Sequence, residues 1–422
     1  MRNTWVIGIV FLLICQPLWA DEKLTWQDCL LQASLQHPDL LSAKEGIRQS
    51  KDIKKITAST LWPQASGNIS VSQLKSDTSA DMASKTTNYA YGVSGSQLIF
   101  DGFKTINNVK ASGENVKASE RNFQFVSSQV RLRLRTAFIN LLKAQSLIQL
   151  TKDIYEIRKQ SVELIVKYYN SGMENSGSLL TAQANLAQAQ FEINQAQRGL
   201  EVAQRSLLKE IGAKTIESLQ AQGDFDISTK YKDRPDFDIL VDQHPQLLQL
   251  IAQKNAASFD VKAGQGNLWP AVSLVGGADH SDKNWPPKAS STNVGVELSW
   301  PFLDGGSRIA QLDQAKSLFK SLQDQQQSVR DTLEVSLEQA WSNLQDAIEQ
   351  VDVQKKFLAA DQERSRIAQQ QYSIGLLTFN DWTIIEDNLV SSKKTFLNAQ
   401  ANALLAEANW IAAQGRTLEY AN

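Results

Sequence analysis

Cysteine is almost missing from this chain, with two in 422 residues, Cys15 and Cys29. Only Cys29 lies beyond the first twenty residues, so no intrachain disulfide is available there, and stability rests on packing or assembly. Three methionines, Met1 included, with that one cysteine are too few for a soft-metal relay, and of the three histidines His37 and His244 belong to the repeated "HP" motif while His280 lies in a polar segment. No nucleophile elbow, metal-spaced cluster or phosphate loop is present, and "GQGN" at Gly264 lacks the strand–turn–helix context of a dinucleotide site. These absences argue against an enzyme and against any cofactor. An excess of positive charge is lacking too. Lys and Arg number 43 against 45 Asp and Glu, interspersed, for a net charge of −2, which leaves no basic stripe for nucleic acid. Beyond residue 20 no run of 18 apolar residues occurs, which excludes α-helical membrane spans but not a β-barrel.

The first twenty residues have the form of a signal peptide. Arg2 is a short basic start, "WVIGIVFLLIC" is an apolar run too short to span a bilayer, and "QPLWA" offers cleavage after Ala20. Leu18 is large for its place three residues before the cut, and an N-terminal anchor helix is the alternative. Cys15 lacks the small preceding residue that a lipoprotein site requires. Export from the cytoplasm is expected.

What remains is repetitive. "QHPDLL" at Gln36 returns as "QHPQLL" at Gln243, and "LWP" at Leu61 returns at Leu268, both 207 positions on. "SQLIFDGFKTINNVK" from Ser96 returns as "SWPFLDGGSRIAQLD" from Ser299, 203 positions on. The change in offset falls in the polar segments 74–88 and 280–291, which read as surface loops. The chain is therefore expected to hold two copies, 21–212 and 236–415, joined by a polar connector at 213–235 and followed by a tail at 416–422.

Flanking each polar loop, apolar residues alternate with small polar ones. The clearest run is Thr292 to Phe302, where Val294, Val296, Leu298, Trp300 and Phe302 share one face. Tyr91, Val93 and Ile99, then Ile69 and Val71, then Val272 and Leu274 repeat the pattern. Strand hairpins are predicted over about 62–100 and 269–303. Runs of this length suit tilted membrane strands, and they equally suit a soluble hairpin with one wet face. The tryptophans of the two "LWP" copies suit an interfacial belt or a packed strand start.

The remainder reads as helix with a 3.5-residue apolar period. Val130, Leu134, Ala137, Leu141, Ala144, Ile148, Tyr155, Val162 and Tyr169 form one row, and Leu333, Leu337, Ala340, Leu344, Ala347, Val351, Leu358, Ser365 and Tyr372 form its counterpart. Return rows start at Leu179 and Trp382. Such spacing demands coiled-coil packing, in helical hairpins over about 102–212 and 304–415 that turn at "YNSGMENSG" and "YSIGLLTFND". A helix from 103 to 169 would be about 100 Å long. Four strands cannot close a barrel, and open edges are not tolerated in lipid. Two chains would supply eight strands, the smallest usual barrel, and three would supply twelve.

The "PFLDGG-R" corner, the "HP-L" helix starts, the paired heptad hairpins with "Y--G" turns and the duplication together resemble the TolC family of outer-membrane efflux proteins across essentially the whole mature chain. The resemblance implies an α+β membrane protein. Its expected form is a homotrimer whose 12-stranded β-barrel, four strands per chain, is continuous with a long periplasmic α-helical coiled-coil barrel. It further implies the exit duct of a tripartite efflux pump or type I secretion system, working with a periplasmic adaptor and an inner-membrane transporter. A passive pore and a coiled-coil envelope scaffold are the competing readings. Heptads count against the pore and alternating strands against the scaffold.

On this resemblance the corners where strand passes to helix are Asp101–Gly102 and Asp304–Gly305, with the carboxylates capping the helix and the glycines allowing the sharp turn. Asp381 is expected in a carboxylate ring at the periplasmic entrance; the same residue would favour a helix N-terminus through its dipole. Tyr372 matches the gate tyrosine. The family's second ring carboxylate falls on Ile384, a locking arginine falls on Leu377, and the acidic partner in the first copy falls on Ser178. A differently built lock is therefore expected, with Tyr372 on Ser178 as a candidate contact. Gly172 and Gly375, at the hairpin tips, are the expected adaptor-contact region.

Overall fold

A computed structural model describes residues 22–76, 84–213, 219–225, 231 and 233–419. The signal segment, the middle of the first polar loop, part of the connector and the last residues lie outside that set. The elements run β1 (Glu22–Leu24), α1 (Trp26–Gln36), α2 (Pro38–Ser59), β2 (Gln64–Ser76), β3 (Ser84–Phe100), α3 (Lys104–Asn170) and α4 (Ser176–Ile211). They continue with β4 (Leu219–Ala221), α5 (Phe237–Asp242), α6 (Pro245–Gly266), β5 (Ala271–Asp282), β6 (Ala289–Ser299), α7 (Ser307–Ser373) and α8 (Phe379–Ala413). The order hairpin, long helix, return helix thus occurs twice. α3 and α7 are each 67 residues long, and both bounds of α7 lie 203 positions after those of α3.

Two compact units are present. One comprises residues 1–35, 134–227 and 351–404, and the other 36–133, 228–350 and 405–422. In the first, β1 pairs in parallel with β4, Glu22 to Leu219 through Leu24 to Ala221. The sequence reading did not foresee this short pair. The middle of the first unit is a set of helical seams: Ile154, Ala189 and Val390 form one cluster, and Ile165, Ala182, Ala368, Tyr372 and Trp382 another. Leu207 and Ile211 of α4 are fully buried.

The heptad reading of α7 holds along its length, with Leu333, Leu337, Leu344, Ser365 and Tyr372 all buried. On α3, Val130, Leu134, Ala137 and Leu141 are buried, and further on Thr151, Arg158 and Ile165 continue the same 3-4 spacing, while Tyr155 and Val162 are half-buried and Tyr169 is exposed. Ile154, one residue before Tyr155, is buried as well. On α8 there are two stripes. Beside Trp382, Leu389, Ala399, Ala403 and Trp410 runs a second row of Glu386, Val390, Leu397, Ala401, Leu404 and Ala408, all buried. A helix buried along two stripes packs against more than one neighbour.

In the second unit the strands form one antiparallel sheet in the order β2-β3-β5-β6. Ile69 lies opposite Tyr91, Tyr91 opposite His280, Val93 opposite Ala278, and Leu274 opposite Val296. One face is apolar and uncovered: Ile69, Val71, Val93, Val294, Val296 and Leu298 are all more than 60% exposed. The other carries Ser66, Asn68, Ser94, Asp279, Asn293 and Glu297, with Ser66 and Ser94 sharing a 2.9 Å hydroxyl hydrogen bond. β6 ends at Ser299, so Trp300 and Phe302, expected within the strand, lie beyond it; Pro301 between them cannot donate to a ladder.

His37 and His244 cap α2 and α6 in the same way. Each has extended backbone, and each imidazole Nδ1 accepts from the N–H two residues on, Asp39 and Gln246, at 3.2 Å. Proline follows each histidine at the first helical position, where its missing N–H costs nothing. Phe237, Val241, Leu247, Leu333, Leu337, Leu344 and Trp410 make the core beside α6.

Candidate functional site

The two helical-hairpin tips are built differently. At the first, Gly172 adopts φ +75° and the N–H of Met173 returns to Tyr168 O at 2.8 Å. Asn175 caps α4 by accepting from Ser178 N–H at 3.0 Å. At the second, Gly375 adopts φ +77° and Leu376 N–H reaches Gln371 O at 2.9 Å. Thr378 and Asp381 then form a reciprocal cap: the Thr378 hydroxyl donates to Asp381 Oδ2 at 2.7 Å and accepts from Asp381 N–H at 3.2 Å. Asp381 is exposed, and its carboxylate sits in the first turn of α8, where the helix dipole favours it. Met173, Ile374 and Leu376 are also exposed, each by two thirds or more.

Between the tips lies an aromatic clasp. Tyr372 is 3% exposed and stacks on Trp382 with ring centroids 4.6 Å apart. Its hydroxyl donates to Glu174 Oε1 at 3.0 Å. Tyr168 lies 5.5 Å from the Tyr372 ring and donates to Ser373 O at 2.9 Å. Each hairpin thus sends a tyrosine to the end of the other. Burial, then the Glu174 acceptor, push the Tyr372 phenol above its ordinary range. The expected Tyr372–Ser178 contact is replaced by Tyr372–Glu174. Ser178 is buried with its N–H committed to the cap, while Glu174 stands in the turn, where a long side chain can reach across. Tyr169, read as the inward tyrosine of the first copy, is 43% exposed; the tyrosine that meets the Tyr372 ring is Tyr168.

Behind the clasp, polar ties cross between helices. Arg158 meets Asp387 at 2.5 Å, the Ser365 hydroxyl donates to the buried Glu386 at 2.5 Å, Ser392 donates to Asp361, and Lys394 meets Glu192 at 2.7 Å. Ser365 and Ser392 stand on the heptad rows of α7 and α8, but the apolar period gives no sign of their carboxylate partners or of the two ion pairs.

The strand-to-helix corners also differ from one another. Asp101 accepts from the N–H and hydroxyl of Thr105 at 2.8 and 2.5 Å. Asp304 accepts from Arg308 Nε at 2.7 Å and from Gly306 N–H at 3.1 Å, and the Arg308 bond chiefly holds its carboxyl below the usual range. Arg308 also donates to Pro301 O. Gly102 and Gly305 have φ of +68° and +64°. A Cβ at Gly102 would lie 2.3 Å from Gly266 O, and one at Gly266 2.5 Å from Gly102 O, whereas Gly305 has open space. Gly266, ending α6, is the partner that sequence reasoning missed. At the next position the copies diverge: Phe103 holds φ +63°, where Gly306 holds +83°.

The family model for outer membrane efflux proteins matches this chain over residues 30–213 and again over 238–416. The chain belongs to the outer membrane efflux protein family. Family membership assigns it to the outer membrane and to the channel proteins. The outer membrane efflux protein BepC of Brucella suis biovar 1 is 22% identical over 401 residues, covering 93% of this chain and 85% of that one. The alkaline protease secretion protein AprF of Pseudomonas aeruginosa is 21% identical over 354 residues, covering 78% and 71%. In fold, the crystal structure of CusC, described by its transmembrane channel formation, superposes with a TM-score of 0.83 at 18% identity, covering 92% of this chain and 91% of that one.

Proposed function

We propose that this protein is the exit duct of a tripartite efflux pump or type I secretion system, a trimer that receives cargo from an inner-membrane transporter and a periplasmic adaptor and releases it outside. The observation that carries the reading is the sheet. Four strands with one exposed apolar face and open edges on β2 and β6 are stable in lipid only when other copies close the barrel. Three copies give twelve strands, with the Ser/Asn face lining water. The duplication of hairpin and helices supports the same assembly, because two similar halves per chain give six similar corners around the axis. BepC as an efflux protein and AprF as a protease secretion protein support the two transport roles.

The tips form the gated entrance, with Asp381 from each copy in a carboxylate ring and Tyr372 held by Glu174 in the closed state. Gly172, Gly375 and the exposed apolar residues beside them meet the adaptor. The test is single-channel conductance of the purified protein, wild type against Asp381→Asn, with and without divalent cations. A small conductance blocked by divalents only when Asp381 is present is expected. A large, always-open current indifferent to Asp381 would overturn the gated entrance, and failure to insert would overturn the duct.

A further inference from the structure

The outward face of the sheet changes character along its strands. Its apolar middle, Val93, Val294 and Val296, gives way toward the hairpin ends to an aromatic group, whose Tyr91 and Tyr89 lie opposite Ile69 and Val71. Tyr91 stacks on His280 at 5.1 Å, and Trp285, from the β5–β6 turn, packs edge-on to Tyr89 and Tyr91 at 6.1 and 6.3 Å. Trp285 therefore folds the turn onto the outward face. Beyond the aromatics come lysines. Lys85 keeps the alternation of Tyr89 and Tyr91 and so shares their face, and its Cα partner across the ladder is Lys75. Lys283 and Lys288 flank Trp285 in the turn, and all four lysines are exposed.

In the described turn Asp282 accepts from the N–H groups of Lys283, Asn284 and Lys288 at 2.6, 3.4 and 3.4 Å; the turn's backbone is its main partner, with a weaker attraction to the Lys288 ammonium. The cations at the other strand ends are engaged within the protein: Lys104 donates to Asn267 at 2.9 Å and Arg308 pairs with Asp304 at 2.7 Å. Outward-facing positive charge is thus concentrated at the hairpin end.

We propose that Lys85, Lys283 and Lys288 form a collar that binds anionic, phosphate-bearing lipid head groups in the leaflet at the hairpin end. The proposal rests on the reading of the sheet as part of a membrane barrel. Depth agrees with it. Aromatic side chains sit at the membrane interface, and Lys85 lies four residues beyond Tyr89, about 13 Å along the strand or about 9 Å along the normal at the usual tilt. That is head-group depth, where lysines near an anionic leaflet are attracted to it.

The experiment reconstitutes the full chain into phosphatidylcholine vesicles containing either lipid A with both phosphates or the same lipid stripped of them. After extraction in detergent, bound lipid is counted by native mass spectrometry. Wild type should retain the phosphorylated form by roughly tenfold or more, with the preference falling as salt is raised. The triple variant Lys85→Gln, Lys283→Gln, Lys288→Gln should lose the preference, and Lys316→Gln on α7 should keep it. Equal retention of the two lipids by wild type, or displacement by inorganic phosphate, would overturn the collar. If the triple variant does not insert, the salt dependence of wild type decides. Flotation with plain phosphatidylcholine vesicles reports separately on the barrel: protein that floats but shows no preference sinks the collar alone.

Discussion

Tyr372 has two attachments that substitution can separate, its ring on Trp382 and its hydroxyl on Glu174. Tyr372→Phe keeps the stack and removes the hydroxyl's bond, worth about 1 kcal/mol. On the gate reading it should raise the fraction of time the channel conducts, measured in single-channel recordings, while Ser178→Ala should leave gating unchanged. His244 offers a second test. It is 3% exposed, and burial lowers its pKa to about 4. As pH falls through about 6.5, the unfolded chain takes up a proton that the folded chain refuses until about 4. Stability should therefore decline across that window by up to about 3 kcal/mol and level off below it. His244→Asn keeps a helix-capping side chain and should flatten the decline in urea titrations at successive pH values.

How far the sequence reached differs among these residues for identifiable reasons. Asp101, Gly102, Asp304 and Gly305 were legible because a sharp strand-to-helix turn needs a left-handed residue and a capping oxygen, both local demands. The Tyr372–Glu174 bond joins residues 198 positions apart through the meeting of two tips, and no period in the chain encodes it. The burial of Trp382 followed from the heptad, but its stacking on Tyr372 did not.

At the scale of elements, the corners should respond unequally to the same change. Alanine in left-handed backbone costs about 1 to 2 kcal/mol, which is the expected loss for Gly305→Ala. Gly102→Ala adds the collision with Gly266 O and should cost more, as thermal unfolding of the two variants would measure. Leu337, fully buried in the core beside α6, should cost about 2 to 5 kcal/mol on truncation to alanine. The long helices were legible from their period and from the absence of proline within them. The burial of Thr151 and Arg158 on the α3 row was not, because polar residues do not register in an apolar period. The second stripe of α8 includes Glu386, which polarity alone assigns to solvent; only Ser365 opposite it accounts for its burial. β1 and β4, three residues each, are too short to show any alternation.

For the whole molecule, the fold class was legible because helix and strand periods change abruptly at the same motif in both copies. On the proposed reading, assembly follows from what a single chain leaves uncovered. Chemical cross-linking of the protein in lipid should stop at three copies, and circular dichroism should show a helix-dominated spectrum. A strand-dominated spectrum would return the passive pore to consideration.

The clasp also bears on how such a chain can change over generations. Tyr168 reaches Ser373 and Tyr372 reaches Glu174 because the two tips end level with one another. A heptad added to both helices of one hairpin, within the unit that holds the tips, would carry that tip about 10 Å past the other and part both bonds. Keeping the clasp therefore ties the two hairpins together in length, so that an insertion in one selects for its twin in the other.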